Sequence, residues 1–328
     1  SQENTMPHQI YRATITLHTA LGTPMAGDTL FGQMCWLISE HFGQERLTQL
    51  LEGYIDGNPY MVVSDAMPHG FIPLPTLPSY LWGGQDAEQR KQAKAKIWLS
   101  LTERAQAKSL SEWKQHAQDD ARAYGHKPQQ RIQMHNTINR ATGTTGEGAF
   151  APYQMSQIWF APETQMDLYI VLDTERIGSD EIQTLLIAMG KMGYGRDASI
   201  GLGKFSVTEI AEHDWSESAH KNLNPTQAYM TLAPSAPQGQ AFDEKHSYYQ
   251  PMTRFGRHGN RLAVAGQPFK KPILMAKTGA YFTQKTADEI PRTFIGQGIG
   301  NVSAIQAAAI HQGYAPVLPM QSLTAPSA

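Results

Sequence analysis

The chain has 328 residues, a formal charge of −2 and a hydrophobic fraction of 41%. At about 100–200 residues per domain this length predicts two domains with ordinary cores. It holds one cysteine, which excludes a disulfide framework and any multi-cysteine zinc site. No apolar run reaches the roughly 18 residues of a membrane span, and the polar start SQENTMPHQ carries no signal-peptide pattern. The expectation is a soluble, cytoplasmic protein.

In chain order, residues 10–18 alternate: Tyr11, Ala13, Ile15 and Leu17 on one face, Arg12, Thr14, Thr16 and His18 on the other. That pattern predicts a half-buried strand. Asp28 precedes a run in which Leu30, Met34, Leu37, Ile38 and Phe42 fall at helical spacing, so it reads as an N-cap and Gly43 as a stop. Cys35 in this run reads as a buried small hydrophobe. A second short helix is expected near Gln44–Leu51 and a strand at Tyr60–Val63; 67–84, rich in Pro and Gly, reads as ordered loop. Residues 85–125 are rich in Ala, Gln, Lys and Glu, and predict a helical insertion of one or two helices. Segments 131–140 and 150–160, joined by TGTTGEG, predict a protruding hairpin arm over 131–160. Strand 166–172, helix 179–189 and strand 204–210 complete a β-α-β-β-α-β order, that of a ferredoxin-like domain over 1–213. Residues 214–328 are β-rich, with strand candidates at 228–232, 248–255, 272–275, 280–282 and 313–318 and a weak helix near 302–311.

The stretch Met192–Phe205, MGYGRDASIGLGKF, concentrates the chemistry. A P-loop is excluded because Gly203-Lys204 is followed by Phe205 and Ala198 replaces the first glycine. A dinucleotide fingerprint is excluded because a helix precedes the glycines and a strand follows. Two readings remain: a loop whose amides face a phosphodiester backbone, and a plain glycine-rich connection. Charge is segregated along the chain. There is no acid from Lys245 to Ala287, a window with Arg254, Arg257, Arg261, Lys270, Lys271 and further lysines. Ala121–Gly146 is likewise acid-free, with Arg122, Lys127, Arg131 and Arg140. Such windows suit a polyanion partner, or arise by chance on a solvated surface.

Several segments, in order and spacing, resemble the RAMP proteins of CRISPR systems. They are AGDTLFGQMCW at 26–36, GYGRDASIGLGKF at 193–205, MHNTINRATG at 134–143, FKKPILMAKTGAYF at 269–282 and HQGYAPVLPM at 311–320. Within that superfamily the chain is similar to the Cas-five group, in particular the fourth Csm subunit of type III-A effector complexes. The resemblance implies an α+β protein of two ferredoxin-like (RRM-like) domains in tandem, the second degenerate. It also implies a non-catalytic, cofactor-free role in antiviral defence: holding the 5′ tag of the crRNA, capping the complex, and bridging the large palm-domain (Cas-ten type) subunit to a Cas-seven-type backbone subunit. RNA-contact candidates that follow are His18, His135, Asn136, Arg140, Arg196, Ser199, Gly201, Gly203, Lys204, Tyr248, Arg254, Arg257, His258, Lys270 and Lys271. Tyr153, Phe150, Tyr248 and Tyr249 are candidates for base stacking, and each also reads as ordinary packing.

Two alternatives stand beside this reading. A metal-independent endoribonuclease needs a general acid and base, for which His18, His41, His135 and His258 are candidates without a visible partner. An acid in an early loop, Asp28, is a further candidate, although a helix cap explains it equally well. A purely structural subunit would use its basic windows on acidic protein surfaces.

Overall fold

A computed structural model describes residues 8–82, 87–106, 109–135, 138–139, 144–145, 153–215, 225–254, 272–300 and 310–323. The first half runs β1 (His8–Leu17), α1 (Gly27–Phe42), α2 (Gln44–Leu51), β2 (Met61–Val63), β3 (Met67–Pro68) and β4 (Phe71–Pro73). The insertion supplies α3 (Ala87–Ala95), β5 (Trp98–Ser100), α4 (Leu101–Gln106), α5 (Leu110–His116) and α6 (Asp120–Tyr124). An arm follows as β6 (Gln129–His135), β7 (Ile138–Asn139), β8 (Thr144–Thr145) and β9 (Tyr153–Trp159), and then β10 (Gln165–Asp173), α7 (Ser179–Met192) and β11 (Phe205–Glu212). The second half holds β12 (Thr226–Thr231), β13 (Pro251–Arg254), β14 (Ile273–Ala276), β15 (Tyr281–Asp288), β16 (Phe294–Gly296) and β17 (Tyr314–Met320). This is a mixed α+β chain with several antiparallel sheets.

The first sheet has the order β11-β1-β10-β2, every neighbouring pair antiparallel, with β3 also on β10. That order places β10 between the two strands of the first β-α-β unit and β1 between those of the second. Helices α1 and α7 pack against each other, and α7 packs on β11. α1 forms because Leu30, Phe31, Met34, Leu37 and Ile38 return to one buried face. It stops at Gly43, which adopts φ +93°.

Two expectations fail here for identifiable reasons. Asp28 does not cap α1: the N-cap is Ala26, with no side-chain cap, and Asp28 lies inside the first turn with a different partner. β1 is not half-exposed either, since Thr14 and Thr16 are buried along with Ala13, Ile15 and Leu17. Thr14 Oγ1 donates to Asp167 Oδ1 at 2.8 Å on the neighbouring strand, and Thr16 pairs with Thr208 at 2.8 Å, so both hydroxyls are satisfied without water. The insertion folds back onto the first half. It is anchored by buried Leu99 and Trp113 and by β5, which pairs with β4. Among the described residues it forms four short helices and a strand where one or two helices were expected, because Trp98 and Leu99 pair with β4 and interrupt the helical run.

In the second half the order is β15-β12-β17-β16, again antiparallel, and β13 pairs with β14. Phe294–Gly296 is a strand without an expectation in the sequence, being only three residues long. The helix expected near 302–311 falls mostly outside the described residues; His311 itself bridges Ile299 in extended backbone. The two halves share one core: Met230, Leu232, Tyr281, Tyr314 and Leu318 join the cluster built on β1, α1 and β10. Polar bonds register the seam. Gln312 accepts from Val63 N and donates to Val63 O, both at 2.8 Å, as a strand neighbour would.

Candidate nucleic-acid interface

The glycine loop closes on itself. After α7, Gly193 N donates to Met189 O at 2.8 Å and ends the helix at φ +99°. Tyr194 N donates to Gly203 O (2.9 Å), Gly201 N to Ala198 O (3.0 Å), and Ile200 N and Leu202 N both to Asp197 O (3.1 Å). The remaining bonds tie the loop to the β1–α1 segment. Gly203 N donates to Ala20 O (2.9 Å), Arg196 N to Thr23 Oγ1 (2.9 Å) and Lys204 N to Thr19 Oγ1 (2.9 Å). Gly195 N donates to Gln33 Oε1 at 3.1 Å. These amides are therefore spent inside the protein and do not form a phosphate cradle. The glycines serve close approach: a Cβ on Gly203, at φ +73°, would lie 2.0 Å from Tyr194 O. Tyr194 is the buried pin of the loop, its hydroxyl donating to Pro24 O at 2.8 Å with Thr29 Oγ1 at 2.5 Å.

What the loop presents outward is side chains. Arg196, 40% exposed, donates to Ser156 O on β9 and faces Asp197 Oδ2 at 3.6 Å. Ser199 and Ile200 are exposed. Lys204 Nζ donates to Lys191 O at 3.3 Å. His18 N donates to Lys204 O at 2.9 Å, and its ring contacts Ser206 Oγ at 3.0 Å and Glu163 Oε1 at 3.3 Å. Leu21 bridges Ile158 with two backbone bonds, which fixes this segment to the base of the arm. His18, Arg196, Ser199, Gly201 and Lys204 thus belong to one surface, continuous with β9, whereas Gly203, an expected RNA contact, is buried against Tyr194 and lies off it. Arg131 lies in an acid-free window but is not among the expected RNA contacts. Its guanidinium lies 4.5 Å from the Trp159 ring centroid at the arm base, a cation over an aromatic face. His135 pairs with Tyr153 within the arm ladder. Asn136, Arg140, Arg257, His258, Lys270, Lys271 and Phe150 lie outside the described residues.

Arg254 and Tyr248 are placed elsewhere. Tyr248 bridges Tyr281 through paired backbone bonds of 2.8 and 2.9 Å, with ring centroids 6.5 Å apart. Arg254 grips Asp28 with a bidentate fork, Nε to Oδ2 at 2.8 Å and a terminal nitrogen to Oδ1 at 3.0 Å, while His311 Nε2 lies 2.9 Å from Oδ2. Asp28 has no exposed side-chain surface. Burial pushes its carboxyl up, but His311 and Arg254 together overcome that and hold it below the usual carboxylate range. Beside it Asp65 accepts from Gly27 N (2.8 Å) and Thr278 Oγ1 (2.5 Å). Burial outweighs those bonds and lifts its carboxyl to about 6. This cluster joins the two halves, and its Asp28 carboxylate is closed to a polymer substrate.

The sheet face opposite α1 and α7 is closed as well. Tyr169 packs 4.9 Å from Trp215 and 5.0 Å from His213, and Arg104 donates to Trp215 O at 3.3 and 3.4 Å while lying 5.0 Å from that indole. Burial lowers Arg104 to about 10; burial, with Arg12 and Arg104 nearby, lowers His213 to about 4. No base can stack on a sheet face filled in this way. Among the described residues no group of three or more His, Cys, Asp or Glu is arranged to hold a metal ion, and no helix is long and apolar enough to cross a membrane.

No protein-family model and no curated protein matches the chain. Solved structures do. A chain of the Csm3-Csm4 subcomplex in the type III-A CRISPR-Cas interference complex aligns with a TM-score of 0.60 at 15% identity, covering 94% of this chain and 99% of that one. Chains of Csm1-Csm4 cassettes in complex with pppApA and with cA4 align with TM-scores of 0.57 and 0.58 at 15% and 12% identity. In both, 97% of this chain and 100% of the other are covered. Csm4 is the component these assemblies share, and the likeness is one of fold along nearly the whole chain.

Proposed function

We propose that the chain is a non-catalytic, RNA-binding subunit of a type III CRISPR ribonucleoprotein. In this reading it holds the 5′ tag of the crRNA, caps the complex, and bridges a large palm-domain subunit to a Cas-seven-type backbone subunit, in the cytoplasm. The observation that carries it is the end-to-end likeness to chains of assemblies containing Csm4, partnered there by Csm3 or Csm1. Two ferredoxin-like domains in tandem, about 1–213 and 214–328, belong to the same reading. Its support is that β12 lies between β15 and β17 as β1 lies between β10 and β11.

The surface of Arg196, Ser199, Lys204 and His18, next to Arg131 and Trp159, offers cations, a hydroxyl and an aromatic face. Those are the groups that hold phosphates and stack unpaired bases. A non-catalytic role draws support from two placements: Asp28 is buried and ion-paired, and both ring nitrogens of His18 are engaged. Arg257, His258, Lys270 and Lys271 extend the proposed contact.

The test is retention of guide RNA by the Arg196→Ala/Lys204→Ala variant. Loss of two phosphate contacts should flatten the slope of log K against log salt by about 1.4, at roughly 0.7 per contact on a single strand. An unchanged slope sinks the RNA reading of this loop. Cleavage of repeat RNA in EDTA, abolished by His18→Ala, sinks the non-catalytic one.

A further inference from the structure

Among the described helices of eight or more residues, α1, α2 and α7 each bury apolar side chains, and α3 buries none. A nine-residue helix without a buried face is marginal on its own in water. The fold nevertheless holds it up. Lys114 Nζ donates to Ala93 O at 2.9 Å and lies 3.5 Å from Lys96 O, placing a cation on the helix's last carbonyls, over the Trp82 ring at 5.7 Å. Directly after α3, β5 is pinned by buried Leu99. What this support displays is charge. Between Ala87 and Lys96 the single acid is Glu88, against Arg90, Lys91, Lys94 and Lys96. The ammonium groups of Lys91, Lys94 and Lys96 are exposed and form no ion pair among the described residues. By contrast Arg46, Arg176, Arg254 and Arg292 each face a carboxylate. Lys91 and Lys94 share a face, being three residues apart, where like charges oppose helix formation.

We infer that α3 is a second docking surface, for the sugar–phosphate backbone of single-stranded RNA, engaged through Lys91, Lys94 and Lys96 and separate from the glycine-loop surface. Phosphates relieve the repulsion between these lysines, and the helix carries no aromatic ring on which a base could stack, so the contact is made to the backbone and is largely independent of sequence. An acidic protein surface suits it less well. Protein interfaces are built on an apolar centre and are depleted in lysine, whereas α3 has lysines and no apolar centre.

The experiment is fluorescence anisotropy of the full chain with labelled oligouridine of about 30 nucleotides, between about 50 and 200 mM salt. The variants are Lys91→Gln/Lys94→Gln/Lys96→Gln, its Lys→Arg counterpart, and Arg196→Ala/Lys204→Ala. Glutamine keeps nearly the helix propensity of lysine. The glutamine variant is expected to flatten the salt slope by about 0.7, and weaken binding at 0.1 M by about five-fold, for each lysine engaged. The arginine counterpart should restore both. An unchanged slope for the glutamine variant, with a reduced slope for Arg196→Ala/Lys204→Ala, overturns this inference and leaves the proposed function standing. No change in either variant overturns both. Lost binding of polyglutamate in place of RNA reassigns α3 to an acidic protein and also overturns it.

Discussion

Arg254→Ala separates an RNA contact from a structural ion pair. In the folded chain Arg254 gives Asp28 two charge-assisted hydrogen bonds, and Asp28 has no exposed side-chain surface. Removing the guanidinium strands a buried carboxylate, a change that typically costs 3–5 kcal/mol. Two features move this case to the low end: a quarter of the Arg254 side chain is exposed, and His311 keeps its 2.9 Å contact with Oδ2. About 3 kcal/mol is therefore expected. With about 2.1 cal/mol/K of unfolding entropy per residue over 328 residues, the total is about 0.7 kcal/mol/K, so the melting temperature should drop by about 4 °C. Arg254→Lys keeps the charge without the fork and should fall between. The double variant Asp28→Asn/Arg254→Gln removes both charges and should recover most of the loss. Calorimetry of the three variants measures this coupling. A melting temperature within a degree of wild type for Arg254→Ala, together with lost RNA binding, refutes the assignment and returns Arg254 to the RNA surface.

Two further outcomes follow from the same geometry. Asp65 titrates near 6 in the fold against 3.8 unfolded, so between those values the unfolded chain loses its proton first and stability falls as pH rises, staying low above 6. The difference is worth at most about 3 kcal/mol at 1.36 per unit, less because the residue keeps some exposure; Asp65→Asn should thus stabilise the chain at pH 7 and change little at pH 4, and equal unfolding midpoints at pH 7 refute it. Gly203→Ala must push Tyr194 O from 2.0 Å, whereas Gly201→Ala meets nothing within 4 Å and carries only the strain of φ +96°. Urea unfolding should show a loss of about 1 kcal/mol for Gly201→Ala and clearly more for Gly203→Ala; the reverse order refutes the packing role of the loop.

The first sheet was legible because its signals are local. Alternation in Ile10–Leu17, the apolar stripe of α1 and the stop at Gly43 each depend on residues a few positions apart, and the structure keeps all three strand–helix–strand boundaries within about two residues. Signals that depend on distant partners were not legible. Nothing near Asp28 in the sequence announces Arg254, 226 residues away, so a carboxylate at a helix start read as a cap. Thr14 and Thr16 read as solvent-facing because the groups that take up their hydroxyls, on Asp167 and Thr208, lie 153 and 192 residues away in the chain. The glycine loop shows the same limit in its sharpest form. Glycines permit close backbone approach, but composition does not say whose backbone. The approaching atoms are Tyr194 O to Gly203 and Arg196 O to Gly22, so the loop spends its glycines on itself and on the β1–α1 segment. Under the proposed function, recognition would therefore fall to the side chains of Arg196, Lys204 and their neighbours, which a salt titration can count one at a time.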